Sequence, residues 1–169
     1  MSTLSIAHIF VVAFGACLLW AVWTDVRTRT IPNAVSLAVV ALYAGFALAG
    51  GVDGAWWVGP AVAAAILVAG MGCFAMGWFG GGDVKLLAAC GLWAGTAQLM
   101  PFLLVTALVG AVLALLTLAA RARPIPYLTT NALFIGPQTD GRAATADGIP
   151  YGLAIAAGGL WILYRMLAG

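Results

Sequence analysis

Two aspartates, Asp25 and Asp83, are the acidic residues set directly against the hydrophobic segments of this chain. Asp83 closes the run Gly80-Gly81-Gly82 and is followed by Val84-Lys85. Asp25 stands where the first apolar run meets Val26-Arg27-Thr28-Arg29. A carboxylate at membrane depth is costly, roughly 2.5–3.5 kcal/mol at a helix centre on insertion scales. Two carboxylates that approach each other beside a low-dielectric wall cannot both ionise cheaply, and they share a proton. Such a pair can hydrolyse a peptide bond. One member takes a proton from water, and the other, protonated, polarises the scissile carbonyl. Glycine beside the pair allows a peptide to lie close against backbone.

Each aspartate also has a purely structural explanation. Asp83 could cap a helix, where it would accept from free N–H groups and meet the positive end of the dipole. Asp25 ends its helix where the dipole disfavours a negative charge, so Arg27 and Arg29 would have to offset it. The catalytic reading therefore depends on the two residues meeting.

The elements that must position them follow from composition. The chain has 169 residues, of which 64% are hydrophobic and only 7% charged, with no glutamate. Soluble domains carry about 25% charged residues. An integral membrane protein is expected. A net charge of +2 and the lack of any basic run argue against a nucleic-acid partner. The first apolar run is too long for a cleaved signal and has no basic leader, so it is expected to remain as a helix.

A spanning helix needs about 20 mostly apolar residues. On that measure the chain reads as an all-α, six-transmembrane-helix bundle in one membrane-embedded domain. The expected spans are residues 4–24, 33–50, 56–78, 84–99, 100–120 and 151–167, with a polar loop at 121–150. Pro32 suits a helix start. Gly95, Gln98 and Pro101 mark a break between the fourth and fifth spans. Trp56, Trp57 and Trp78 suit the membrane interface.

Six spans alternate sides. The turn at Asp25, the turn at Asp83 and the 121–150 loop then share one face, with Arg27, Arg29, Lys85, Arg121, Arg123 and Arg142. Arg165 alone lies on the other face. The positive-inside rule makes the richer face cytoplasmic and both termini non-cytoplasmic. Asp25 and Asp83 fall in the same cytoplasmic layer.

The remaining candidates carry less. Lys85 lies about 200° around a helix from Asp83 and does not face it, so it reads as a lysine snorkelling to head groups. His8 falls at the opposite membrane face. Asp53, Asp140 and Asp147 read as solvated. Cys17, Cys73 and Cys90 lie inside apolar runs with no CxxC pair and no zinc spacing, so they read as small hydrophobes. No metal and no cofactor are expected.

Three landmarks resemble one family. Asp25 followed by Ile31-Pro32-Asn33, then Gly80-Gly81-Gly82-Asp83-Val84-Lys85-Leu86, then Ile149-Pro150-Tyr151-Gly152, are similar to the landmarks of type IV prepilin peptidases. These are membrane aspartic endopeptidases of the GxGD kind, in the bacterial inner membrane. The resemblance implies that Asp25 and Asp83 are the catalytic pair. It implies a prepilin precursor as substrate, cut at its basic leader on the cytoplasmic face. Gly80, Gly81, Gly82, Lys85, Pro150 and Tyr151 are candidate substrate contacts as motif neighbours. Larger members carry a cytoplasmic zinc-binding domain and methylate the new N-terminus. Here the turn from Asp25 to Asn33 is too short to hold one, so N-methyltransferase activity is not expected. Short members resemble those serving Flp/Tad-type pili. A related preflagellin-type leader peptidase is an alternative, as is a non-catalytic membrane assembly or transport component.

Overall fold

The computed structural model describes residues 6–52, 54–122 and 150–168. They form five helices: α1 (Ile6–Thr28), α2 (Asn33–Leu48), α3 (Val58–Ala75), α4 (Gly81–Ala122) and α5 (Tyr151–Ala168). Four of them, α1, α3, α4 and α5, are long and apolar enough to cross a membrane, while α2 has only 16 residues. The chain is a helical membrane protein. Most of the expected 121–150 loop, like Asp53, lies outside the described residues.

Six separate spans are not what the described residues contain. The expected spans at 84–99 and 100–120 belong to one element, α4, interrupted at Gly95. Gly95 has φ 51° and ψ −159°, a backbone conformation that is essentially glycine-only. Pro101, expected to mark the same break, lies inside the helix instead. The interruption is a fold-back. Tyr151 packs its ring 5.4 Å from that of Phe79, just before α4. The same ring would meet a Cβ on Gly110 at 3.2 Å. At about 1.5 Å per residue, a straight helix from residue 81 to 110 would span roughly 44 Å. One ring can touch both places only if α4 returns on itself.

The packing partners agree. The first half of α4 runs antiparallel to α3, with Val84 against Gly70 and Gly91 against Ile66. The second half runs antiparallel to α5, with Phe102 and Thr106 against Gly158 and Tyr151 against Gly110. Helix α5 also lies antiparallel on α1 through Gly159 against Leu18 and Gly152 against Asp25. Small residues at these crossings let the backbones approach, as membrane helices require.

The buried stripe of α1 is Val11, Phe14, Leu18, Ala21 and Asp25, one helical face. Trp93 of α4 fills the centre between α1 and α2. It stacks on Phe14 at 4.5 Å and 8°, and meets Tyr43 at 5.6 Å and Phe46 at 5.2 Å. Its Nε1–H donates to the Val39 carbonyl at 3.0 Å, which satisfies the one polar atom this side chain buries. The outward faces are apolar as well, with Ile9, Leu19, Trp20, Leu37, Val68, Leu104 and Leu115 exposed. That is the surface a bilayer covers. Trp56 and Trp57 stand exposed before α3 and Trp78 after it, in keeping with interfacial anchors.

Candidate active site

Asp25 lies inside α1, one turn before its end, because the helix runs past the expected boundary at residue 24. Two threonines bond back into this turn. Thr24 Oγ1 donates to the Ala21 carbonyl at 3.0 Å, and Thr28 Oγ1 donates to the Thr24 carbonyl at 2.8 Å. The helix stops at Arg29, whose φ of 53° is left-handed and whose N–H donates to the Asp25 carbonyl at 2.9 Å. A left-handed non-glycine residue costs roughly 1–2 kcal/mol.

The Asp25 side chain is 5% exposed. Its Oδ2 accepts from the Gly152 N–H at 2.8 Å, and the Leu153 N–H also reaches the carboxylate. These N–H groups belong to the first turn of α5, where helices leave donors without internal partners. Asp25 sits at the negative end of its own helix but at the positive end of another. Arg29 lies close enough for its charge to act on the carboxylate. Residue 152 has to be small: a Cβ there would sit 2.6 Å from Asp25 Oδ2 and 2.9 Å from its Cγ.

Asp83 belongs to the first turn of α4, which begins at Gly81 and not at Val84 as expected. The Val84 N–H donates to the Gly80 carbonyl at 3.1 Å, so Gly80 is the cap residue and Asp83 stands three places on. The Gly80 N–H donates back to the Asp83 carboxylate. This is one half of a capping box, so the capping explanation is partly right for Asp83. The glycines have distinct spatial reasons. A Cβ on Gly80 would lie 2.8 Å from Asp83 Oδ2. A Cβ on Gly82 would press on the Ile31 Cβ and carbonyl oxygen, each at 3.2 Å. A Cβ on Gly81 would make only ordinary contact with Phe74 at 3.5 Å.

The fold brings the landmarks to one end of the bundle. Asp25 and Asp83 lie within electrostatic reach of each other. Asp25 touches the start of α5, whose Tyr151 packs on Phe79 beside Gly80. Pro150 is fully buried just ahead. Lys85 Nζ donates to Asn33 Oδ1 at 2.9 Å, tying α4 to the first residue of α2. Lys85 is exposed but bonded, a different role from the free snorkelling expected of it. His8 does not join the site, since it lies near the other end of α1, about 25 Å along the helix. Among the described residues no group of three or more His, Cys, Asp or Glu side chains gathers. Sequence reasoning missed Asn33, Phe79 and the Gly152 and Leu153 N–H groups as parts of the site. Gly152 and Asn33 stood inside the landmarks, but no local feature says which distant group they meet. Two carboxylates within electrostatic reach of each other are the pairing that acid–base chemistry on water and a carbonyl requires.

The model of the type IV leader peptidase family matches residues 12–115, a stretch that holds Asp25 and the whole Gly80–Asp83 run. A 52-residue segment is 50% identical to the prepilin leader peptidase/N-methyltransferase of Xanthomonas campestris pv. campestris. The match covers 28% of this chain and 18% of the relative, under a fifth of the relative's length. No solved structure matches. Because the family match takes in well over half of the 169 residues, the chain belongs to the type IV leader peptidase family.

Proposed function

We propose that this protein is a membrane aspartic endopeptidase that removes the leader from type IV prepilins, with Asp25 and Asp83 as the catalytic pair. The observation that carries the reading is the convergence of these two carboxylates at one end of the bundle, in a chain of this family. One aspartate accepts a proton from water as it attacks the scissile carbonyl. The other donates its proton to the carbonyl oxygen; the first then passes the water's proton to the amine nitrogen as the C–N bond breaks, and the second takes a proton back from the collapsing gem-diol. Backbone N–H groups hold both side chains, Gly152 for Asp25 and Gly80 for Asp83, so the pair is oriented by helix termini rather than by flexible partners.

The proposed orientation puts this end of the bundle at the cytoplasmic face of a bacterial inner membrane. Arg27, Arg29 and Lys85 lie there, and Arg165 lies at the far end of α5. Six passes follow if the fold-back at Gly95 counts α4 twice and α2 makes a short crossing, which leaves both termini outside. The substrate is a prepilin with a basic leader, and the short α1–α2 connection favours a Flp-type one. Methyl transfer is not part of the proposal, because residues 29–32 between α1 and α2 leave no room for a further domain.

The test is leader removal from a co-expressed prepilin by Asp25→Asn and Asp83→Asn variants. Each is expected to lose cleavage while accumulating in the membrane at the parent level. Normal processing by either variant would remove the catalytic pair from the reading.

A further inference from the structure

We propose that the first turn of α5 is the positioning element of the active site: the Gly152 and Leu153 N–H groups set the Asp25 carboxylate, and residue 152 must be glycine for it to stand there. The inference rests on the proposed role of Asp25 as a catalytic residue. Gly152 is a positioning residue, acting through Asp25 and not on the substrate.

Three observations support it independently. First, the hydrogen bond from Gly152 N–H to Asp25 Oδ2, at 2.8 Å, joins residues far apart in sequence and is buried. It consumes one oxygen of a carboxylate that is itself 5% exposed. A buried carboxylate with a fixed partner on one oxygen has a defined direction for the other, as a base needs. Second, the space is filled. A Cβ on residue 152 would fall 2.6, 2.9 and 3.0 Å from Asp25 Oδ2, Cγ and Cβ. Real Cβ atoms do not occupy such positions, so an alanine would have to displace the carboxylate or α5. Third, the turn is fixed from outside. Pro150 is fully buried ahead of it, and Tyr151 packs against both Phe79 and Gly110. Helix α5 cannot easily retreat, so the carboxylate is the part that moves.

Other glycines of α5 supply the comparison. Gly159 is as crowded as Gly152, but a Cβ there would meet Leu18 Cδ1 at 2.7 Å, the end of a flexible side chain. A substitution at Gly159 disturbs the α1–α5 packing without touching the carboxylate.

The experiment uses the full-length protein in membranes with a prepilin substrate and compares Gly152→Ala, Gly159→Ala and Asp25→Asn. Gly152→Ala is expected to lower kcat roughly 100-fold, the scale of a 1 Å misplacement, with KM little changed and a displaced pH–rate profile. Gly159→Ala is expected to lower thermal stability while keeping the parent pH profile and most of kcat. If Gly152→Ala cleaves at the parent rate while Asp25→Asn is inactive, the positioning role is wrong and the catalytic pair stands. Equal losses in Gly152→Ala and Gly159→Ala, in step with stability and with unchanged pH profiles, would also overturn it. If Asp25→Asn itself cleaves normally, the reading beneath it fails.

Discussion

Asp25 shows how a residue unfavourable in its own element becomes favourable in a neighbour's. Its carboxylate faces the negative end of α1, yet it accepts from the opening N–H groups of α5. This separates two effects that mutation can tell apart. In Asp25→Asn the amide oxygen still accepts from the Gly152 N–H, so folding is expected to survive while the chemistry is lost. In Asp25→Ala the buried donor is left unpaired, at about 1–3 kcal/mol. Thermal unfolding in detergent should therefore rank the parent and Asp25→Asn above Asp25→Ala, and leader cleavage should be lost in both variants. The residue types that could do chemistry were legible from their setting against apolar runs. The partner of Asp25 was not, because nothing near residue 25 points to residue 152.

At the scale of elements, α4 decides whether the site forms. Its first half places Asp83, and its second half supports α5, whose first turn holds Asp25. The fold-back at Gly95 joins the two tasks. Gly95→Ala forces a side chain into a conformation that costs about 1–3 kcal/mol, and a lowered unfolding temperature with partial loss of cleavage is expected. Trp93→Ala removes the stack on Phe14 and the bond to the Val39 carbonyl. A loss of about 3–5 kcal/mol is expected from the cavity, read as poor accumulation in the membrane. Helix positions were largely readable, since apolar runs are local. Their ends were not. α1 runs on past Asp25 to Thr28, and α4 begins at Gly81 because the Asp83 carboxylate accepts from the Gly80 N–H.

For the whole molecule, the proposed orientation sets Thr30, in the α1–α2 connection, on the cytoplasmic side and Ala55, before α3, on the other; both are exposed. Thr30→Cys is then expected to escape a membrane-impermeant thiol reagent in intact cells and to react once the membrane is opened. Ala55→Cys is expected to react in both cases, with the native cysteines as background. The reverse pattern would invert the orientation. The sequence by itself determined that this is a helical membrane protein, that two aspartates border its apolar segments, and which landmarks accompany them. Those properties depend on composition and on neighbours along the chain. Only the tertiary structure decided which of the expected break residues turns α4 back, that Lys85 pairs with Asn33, and that Asp25 is held by Gly152. The physical reason is that hydropathy and capping are local, whereas a hydrogen bond between helices depends on which ends packing brings together.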